Sequence, residues 1–140
     1  MILDPYQIFN LSSFLVLPAW VLLIFLPRSQ WTQKFVLSGL VSAILALIYI
    51  VAMVIAFPIF QEGGGFSTFD QVKVLFSSEW ALLAGWIHYL CFDLLVGISV
   101  SKSLENKSVF IRAIFLSLVF MFGPLGWVFA QIFQKWNFSK

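Results

Sequence analysis

The chain has 140 residues, of which 61% are hydrophobic and 10% are charged, and its mean hydropathy is +1.00. Because about a quarter of the residues in a typical soluble domain are charged, this composition excludes an ordinary soluble domain and indicates a membrane protein. The formal net charge of +2 is small and scattered, which excludes a nucleic-acid-binding surface of clustered Lys and Arg.

Four apolar segments follow one another along the chain, each long enough to cross about 30 Å of hydrocarbon. The first is preceded by Asp4 and by no Lys or Arg, unlike a secretory signal peptide, so we expect it to be retained. We therefore predict an all-α polytopic membrane protein with a single membrane domain of residues 1–140. The expected architecture is a four-transmembrane-helix bundle with spans at about 7–27, 35–58, 79–100 and 109–133.

The segment between spans two and three begins with three consecutive glycines and continues with apolar residues at helical spacing, which predicts a short interfacial helix. Lys and Arg mark the cytoplasmic side of a membrane. They are more frequent in or beside the loops after spans one and three than elsewhere. We therefore predict that both termini and loop 59–78 face away from the cytoplasm. The cations in or beside the loops after spans one and three are Arg28, Lys34, Lys102, Lys107 and Arg112. The other cations of the chain are Lys73, Lys135 and Lys140.

Prolines interrupt two of the predicted spans. Pro18 lies in span one, and Pro124 lies in span four directly after Gly123. Because proline has no backbone N–H, Pro124 leaves the carbonyl of Phe120 without its helical donor. We predict a bend of span four at Gly123–Pro124, with that carbonyl facing protein or water, since lipid offers no donor.

The third span contains ionisable side chains that are costly in a bilayer, His88 and Asp93. At about 100° per residue, Glu79, Trp86 and Asp93 form one stripe along a helix, whereas His88 lies about 180° from Glu79. His88 and Asp93 diverge by about 140°, too far for direct contact. We therefore expect this helix to be central, with its polar groups facing different neighbours.

Several site chemistries are excluded by residue type and spacing. His88, Cys91 and a distant acid do not supply the three or four ligands of a metal site, so no metal or cofactor is expected; a bis-histidine haem would require a dimer. Hydrolase elbows and phosphate-binding glycine loops are also not found. The alternative for the polar residues is interhelical hydrogen bonding and, for Glu79, a favourable position at a helix N-terminus.

Residues 76–79, 84–90 and 92–94 resemble the signature of the membrane family that includes plant neoxanthin synthase, the abscisic-acid-deficient type. The Phe-Gly-Pro-Leu-Gly run at 122–126 is similar to the family's final-helix element. On these motifs the chain is identified as a bacterial member of this family. The pattern departs at Ile98, where the family has an arginine.

In plants the family's reaction converts the epoxycarotenoid violaxanthin to the allenic neoxanthin, an isomerisation without net redox change. An acid must protonate the epoxide oxygen, and a base must remove a proton from the adjacent polyene carbon. The resemblance thus implies an isomerase for an (epoxy)carotenoid or another isoprenoid lipid, with His88, Asp93 and Glu79 as catalytic candidates. The substrate-binding candidates are aromatic: Trp86, Tyr89, Trp20 and Trp127.

Two other functions are compatible with the sequence. The first is a non-catalytic membrane protein that binds a pigment or lipid or assists a neighbouring enzyme, with His88 and Asp93 only holding helices together. The second is proton conduction or transport. The expected partners are a lipid or carotenoid-like molecule and, in an oligomer, further copies of the chain, but no nucleic acid. The expected location is the bacterial cytoplasmic membrane.

Overall fold

The computed structural model describes residues 4–57 and 62–138. Within these ranges the protein is all-α, as the sequence predicts, and contains no β-strand. The helical elements are α1 (Pro5–Phe25), a π-helical segment (Thr32–Leu37), α2 (Leu40–Ala56), α3 (Phe69–Leu75), α4 (Glu79–Ser103), α5 (Val109–Phe122) and α6 (Pro124–Phe138).

Two of these helices are long and apolar enough to cross a membrane, namely α1 with 21 residues and α4 with 25. The apolar helices α2 and α5 are shorter, with 17 and 14 residues. At 1.5 Å per residue, α5 reaches only about 21 Å, less than the hydrocarbon thickness of about 30 Å. The predicted four-span bundle is therefore not confirmed, and the end predicted for span two at Pro58 lies outside the described residues.

The π-helical segment displaces the start of α2 from the predicted residue 35 to Leu40. The Thr32 hydroxyl donates to the carbonyls of Leu22 (3.3 Å) and Leu26 (2.5 Å), which lie at the end of α1. Gly39 follows with a φ of 83°, a conformation that favours glycine and separates this segment from α2. The single O–H of Thr32 is thus shared between two carbonyls near the end of α1, of which that of Leu22 also accepts from the N–H of Leu26 at 2.9 Å.

The chain divides into two compact units. Unit 1 comprises Met1–Phe14 and Ala43–Cys91, and unit 2 comprises Leu15–Ser42 and Phe92–Lys140. Unit 1 therefore holds the N-terminal parts of α1 and α4 together with α3 and most of α2. Unit 2 holds the C-terminal parts of α1 and α4 together with α5 and α6.

In unit 1, α3 is the short helix predicted between spans two and three. Thr68 caps it, since its hydroxyl accepts from the backbone N–H of Gln71 at 3.2 Å. Asp70 and Lys73 form an ion pair on its exposed face. Its location at a membrane surface stays a prediction. The apolar residues at the ends of α2, α3 and α4 form a small cluster of Ala56, Leu75, Ala81 and Trp80.

In unit 2, α5 and α6 form a helical hairpin. Gly123 ends α5 with a φ of 48°, and its N–H donates to the carbonyl of Val119 at 2.7 Å. The rings of Phe115 and Phe133 are 5.0 Å apart, although a straight helix would separate these positions by about 27 Å. The prediction of one bent span over 109–133 is therefore wrong, because the chain reverses at Gly123. The position predicted for the Phe120 carbonyl stays a prediction.

The C-terminal end of α6 returns to the end of α4. The Gln134 amide donates to the Ser103 hydroxyl at 2.7 Å, and the Lys107 ammonium lies 5.9 Å from the centre of the Phe133 ring. The loop after α4 and the last turns of α6 therefore meet. The sequence predicts these segments on opposite sides of a membrane, and the contact between them does not support that placement.

Candidate functional site

The residues singled out from the sequence are distributed over both units, and each unit is described by itself. Unit 1 contains four of them and unit 2 contains three. Those in unit 1 are Glu79, Trp86, His88 and Tyr89, and those in unit 2 are Asp93, Trp20 and Trp127.

Unit 1 contains a cavity of about 320 Å³ between the first turns of α1 and those of α4. Apolar side chains form most of its wall, and the polar groups that border it come from Tyr6 and Glu79. Ligand sites are commonly apolar cavities of roughly 300–1,000 Å³ with a few placed polar groups, so this cavity is at the lower end of that range. The lining residues are Pro5, Tyr6, Phe9, Glu79, Leu82, Leu83 and Trp86.

The polar groups of the cavity are hydrogen-bonded to each other. The Tyr6 hydroxyl donates to Oε1 of Glu79 at 3.3 Å. Glu79 is the first residue of α4, where the partial positive charge of the helix N-terminus favours a carboxylate. Tyr6 lies in the first turn of α1, and its side chain is 66% exposed. The pair therefore offers an accessible donor and acceptor beside an apolar surface.

Aromatic rings extend from the cavity along unit 1. The ring centres of Phe9 and Trp86 are 5.6 Å apart, and those of Trp86 and Tyr89 are 5.5 Å apart. These spacings lie in the range at which aromatic pairs attract each other. Trp86 and Tyr89 are also 40% and 42% exposed, which leaves part of each ring accessible to a flat apolar ligand.

His88 is not part of the cavity lining. Its ring packs against Tyr49 of α2, with centres 5.6 Å apart and planes inclined by 56°. The side chain is otherwise exposed on α4. The structure therefore brings Glu79 and Trp86 together at one cavity and places His88 at the contact between α2 and α4.

Asp93 lies in unit 2 beside the turn of the α5–α6 hairpin. A Cβ atom added at Gly123 would be 2.9 Å from Oδ1 of Asp93, so the carboxylate approaches the backbone of this turn closely. Gly123 directly precedes α6, whose N-terminus favours a negative charge. The packing thus gives this half-buried acid a favourable position, and its predicted catalytic role stays a prediction.

The two tryptophans of unit 2 differ in burial. Trp20 is 4% exposed, its ring centre is 5.3 Å from that of Phe120, and it fills the space above Gly97. Trp127 lies on α6 and is 44% exposed. Trp20 therefore serves the core of unit 2, and neither tryptophan lines the cavity of unit 1.

Tyr6 is a cavity residue that the sequence reasoning missed. Pro5, Tyr6 and Phe9 occupy one face of the first turns of α1, but nothing local indicates which part of the chain that face contacts.

Among residues 4–57 and 62–138, no group of three or more His, Cys, Asp or Glu is placed to hold a metal ion.

Comparison with known proteins gives one family. A family model described as ABA DEFICIENT 4-like matches residues 7–129. The protein ABA DEFICIENT 4, chloroplastic, of Arabidopsis thaliana is 27% identical over 127 residues, which cover 86% of this chain and 57% of the relative. The chain thus spans a little over half the length of that relative, and no solved structure matches. Since the family model covers most of the chain, the resemblance seen in the sequence is confirmed and the protein belongs to the ABA DEFICIENT 4-like family.

Proposed function

We propose that this protein is a small membrane protein that binds the ring end of a carotenoid or related isoprenoid lipid in the unit 1 cavity and isomerises it by acid–base chemistry. The observation that carries the proposal is the apolar cavity bordered by the Tyr6–Glu79 hydrogen bond. The family includes plant neoxanthin synthase, which supports a carotenoid-like substrate. The length and apolar composition of α1 and α4 support a location in the membrane.

The size of the cavity favours an end group over a whole substrate. A volume of about 320 Å³ accommodates one substituted ring but not an entire carotenoid. The polyene then extends away from the cavity, and the exposed faces of Trp86 and Tyr89 are available to it. A hydroxyl or epoxide oxygen on the ring finds its hydrogen-bonding partners in Tyr6 and Glu79.

The pair supplies the two proton transfers that an epoxide-to-allene isomerisation needs. The Tyr6 hydroxyl protonates the epoxide oxygen as the C–O bond breaks. The Glu79 carboxylate removes the proton from the adjacent polyene carbon, and the electron pair of that C–H bond forms the new double bond. A proton then returns from Glu79 to Tyr6 along their 3.3 Å hydrogen bond, so no oxidant or reductant is consumed.

The experiment is reconstitution of the purified full chain with violaxanthin and, separately, with a carotene that has no oxygen. Bound pigment is measured by absorbance, and products are identified by chromatography with mass spectrometry. We expect violaxanthin to bind in preference to the carotene and to yield an isomer of unchanged mass. No preference for the oxygenated pigment would contradict the proposed site.

Matched variants locate the binding. Loss of a stacked ring costs about 0.5–1.5 kcal/mol, so Trp86→Leu should weaken violaxanthin binding about twofold to thirteenfold. Trp136→Leu is the control, since Trp136 is exposed in α6 and does not line the cavity. Equal affinities of the two variants would place the pigment elsewhere.

Non-catalytic pigment binding is the second candidate function. It is favoured by the placement of His88 and Asp93, neither of which lines the cavity. If the protein binds violaxanthin and returns it unchanged, binding without isomerisation is the function. If it forms an isomer that Glu79→Gln no longer forms while still holding the pigment, isomerisation is supported.

A further inference from the structure

Arg112 is a buried cation in the second turn of α5, and the function proposed above does not use it. Its side chain is only 4% exposed. One terminal nitrogen of the guanidinium donates to the Ser101 hydroxyl of α4 at 2.7 Å. Within the part of the chain that the structure describes, the Nε–H group has no hydrogen-bond acceptor and no carboxylate forms an ion pair with the guanidinium.

Such an arrangement is unfavourable without an anion. Arginine stays protonated in proteins, and a buried charge is stable only when it is paired and hydrogen-bonded. A serine hydroxyl neutralises no charge. The observed contacts therefore leave one N–H group and the positive charge of Arg112 to be compensated.

The neighbouring charges do not supply that compensation. Arg28 and Glu105 both act electrostatically on Arg112, the first unfavourably and the second favourably. The same end of unit 2 carries further cations, because Lys107 lies over the Phe133 ring and the Ser103–Gln134 hydrogen bond joins the ends of α4 and α6. The residues next to that hydrogen bond in sequence are Lys102 and Lys135.

We propose that Arg112 and Ser101 form a binding site for a phosphate group. Guanidinium groups bind phosphate oxygens through parallel charge-assisted hydrogen bonds, and arginine suits this geometry better than lysine does. A phosphate oxygen supplies the missing acceptor for Nε–H and the missing negative charge. The N-terminus of α5, where Ser108 accepts from the N–H of Ile111, adds a partial positive charge near the same end.

The phosphate comes from an anionic phospholipid headgroup or from free phosphate in solution. Clustered cations at the ends of membrane helices attract anionic headgroups. Arg28 follows α1 and Lys102 lies in the last turn of α4, which are the two helices long enough to cross a membrane. The site lies in unit 2 and does not depend on the cavity of unit 1.

The test uses the purified full chain in detergent with three additions: phosphatidylglycerol, a diacylglycerol of the same acyl chains that carries no phosphate, and inorganic phosphate. Binding is followed by native mass spectrometry and by the melting temperature. A rise of the melting temperature with phosphatidylglycerol alone assigns the site to a lipid headgroup. An equal rise with inorganic phosphate assigns it to free phosphate. No response to either overturns the proposal, as does an equal response to the two lipids.

Variants test whether the rise of the melting temperature and the binding depend on the two arginines. Arg112→Lys keeps the charge but loses the planar donors, and Arg28→Gln changes an exposed residue whose loss leaves the core intact. Arg112→Lys should weaken binding of the phosphate-bearing ligand about tenfold, and Arg28→Gln, which removes a nearby charge, should weaken it less. Lys73→Gln is the control, because Lys73 is an exposed cation of α3 in unit 1. Unchanged affinity in both arginine variants would overturn the assignment even if the protein binds phosphatidylglycerol.

Discussion

In unit 1 the first turns of α4 border an open cavity, whereas in unit 2 the second half of α4 makes close contacts at Gly97 and Gly123. Glu79 is exposed and hydrogen-bonded to Tyr6, while Asp93 is half-buried against Gly123. Trp86 is 40% exposed and Trp20 only 4%. The two acids therefore differ in exposure, as do the two tryptophans, and their packing permits different roles.

The largest expected difference between the units is in activity. Glu79→Gln removes the proposed base, so conversion of violaxanthin should fall by the factor of roughly 10² to 10⁴ typical of acid–base groups. Asp93→Asn should leave conversion nearly unchanged, because Asp93 faces the hairpin turn. Conversion is measured in membranes that contain equal amounts of each variant. A large loss in Asp93→Asn, with Glu79→Gln active, would restore the sequence-based assignment of Asp93 as a catalytic residue.

The next effect concerns stability. A Cβ atom at Gly126 would overlap the backbone nitrogen of Val119, so Gly126→Ala must separate α6 from α5. Overpacking of this kind costs about 1–3 kcal/mol, and occasionally more. Gly65→Ala in unit 1 is the control, since its nearest neighbour is the flexible Gln71 side chain. Thermal unfolding in detergent compares the two, and equal melting temperatures would contradict the close packing of the hairpin.

A smaller effect is expected at His88. Because its ring packs against Tyr49 and does not line the cavity, His88→Gln should change the free energy of unfolding by about 0.5–2 kcal/mol and leave conversion nearly intact. Tyr49→Leu should lower stability by a similar amount, which makes it a useful partner variant. If His88→Gln instead unfolds like the parent but converts violaxanthin at least about a hundredfold more slowly, His88 transfers a proton.

The smallest effect is local. Thr68 caps α3, so Thr68→Ala should destabilise this helix by about 0.5–1 kcal/mol. Amide hydrogen exchange should accelerate in Phe69–Leu75 and stay unchanged in α5 and α6. Ser108→Ala, which removes the cap of α5, is the matched change in unit 2. Faster exchange throughout the chain after Thr68→Ala would show that α3 does not open independently.

Local signals allowed much of the fold to be predicted. The lengths of apolar sequence behind α1 and α4 and the spacing of apolar residues in α3 are local properties, and helices form there. The hairpin was missed because an apolar run has the same composition whether it crosses a membrane once or reverses. Contacts such as that of Phe115 with Phe133 distinguish these cases, and they join residues that are far apart in the sequence.

The same limit applies to the candidate site. Helical periodicity places Glu79 and Trp86 on one stripe of α4, and both line the cavity. The stripe also includes Asp93, which packs instead against Gly123, because the neighbour of each turn is set by tertiary structure. Tyr6 and Phe9 come from α1, and their arrival at the cavity depends on helix packing that periodicity does not specify.

The hairpin also has a consequence for biogenesis. A helix of 14 residues such as α5 is too short to remain in the bilayer as a spanning segment while synthesis continues. Its apolar surface, including Phe115, therefore stays uncovered until α6 has been synthesised and packs against it. A chain released by a stop codon just after Gly123 would expose that surface to chaperones and proteases, although it keeps both α1 and α4.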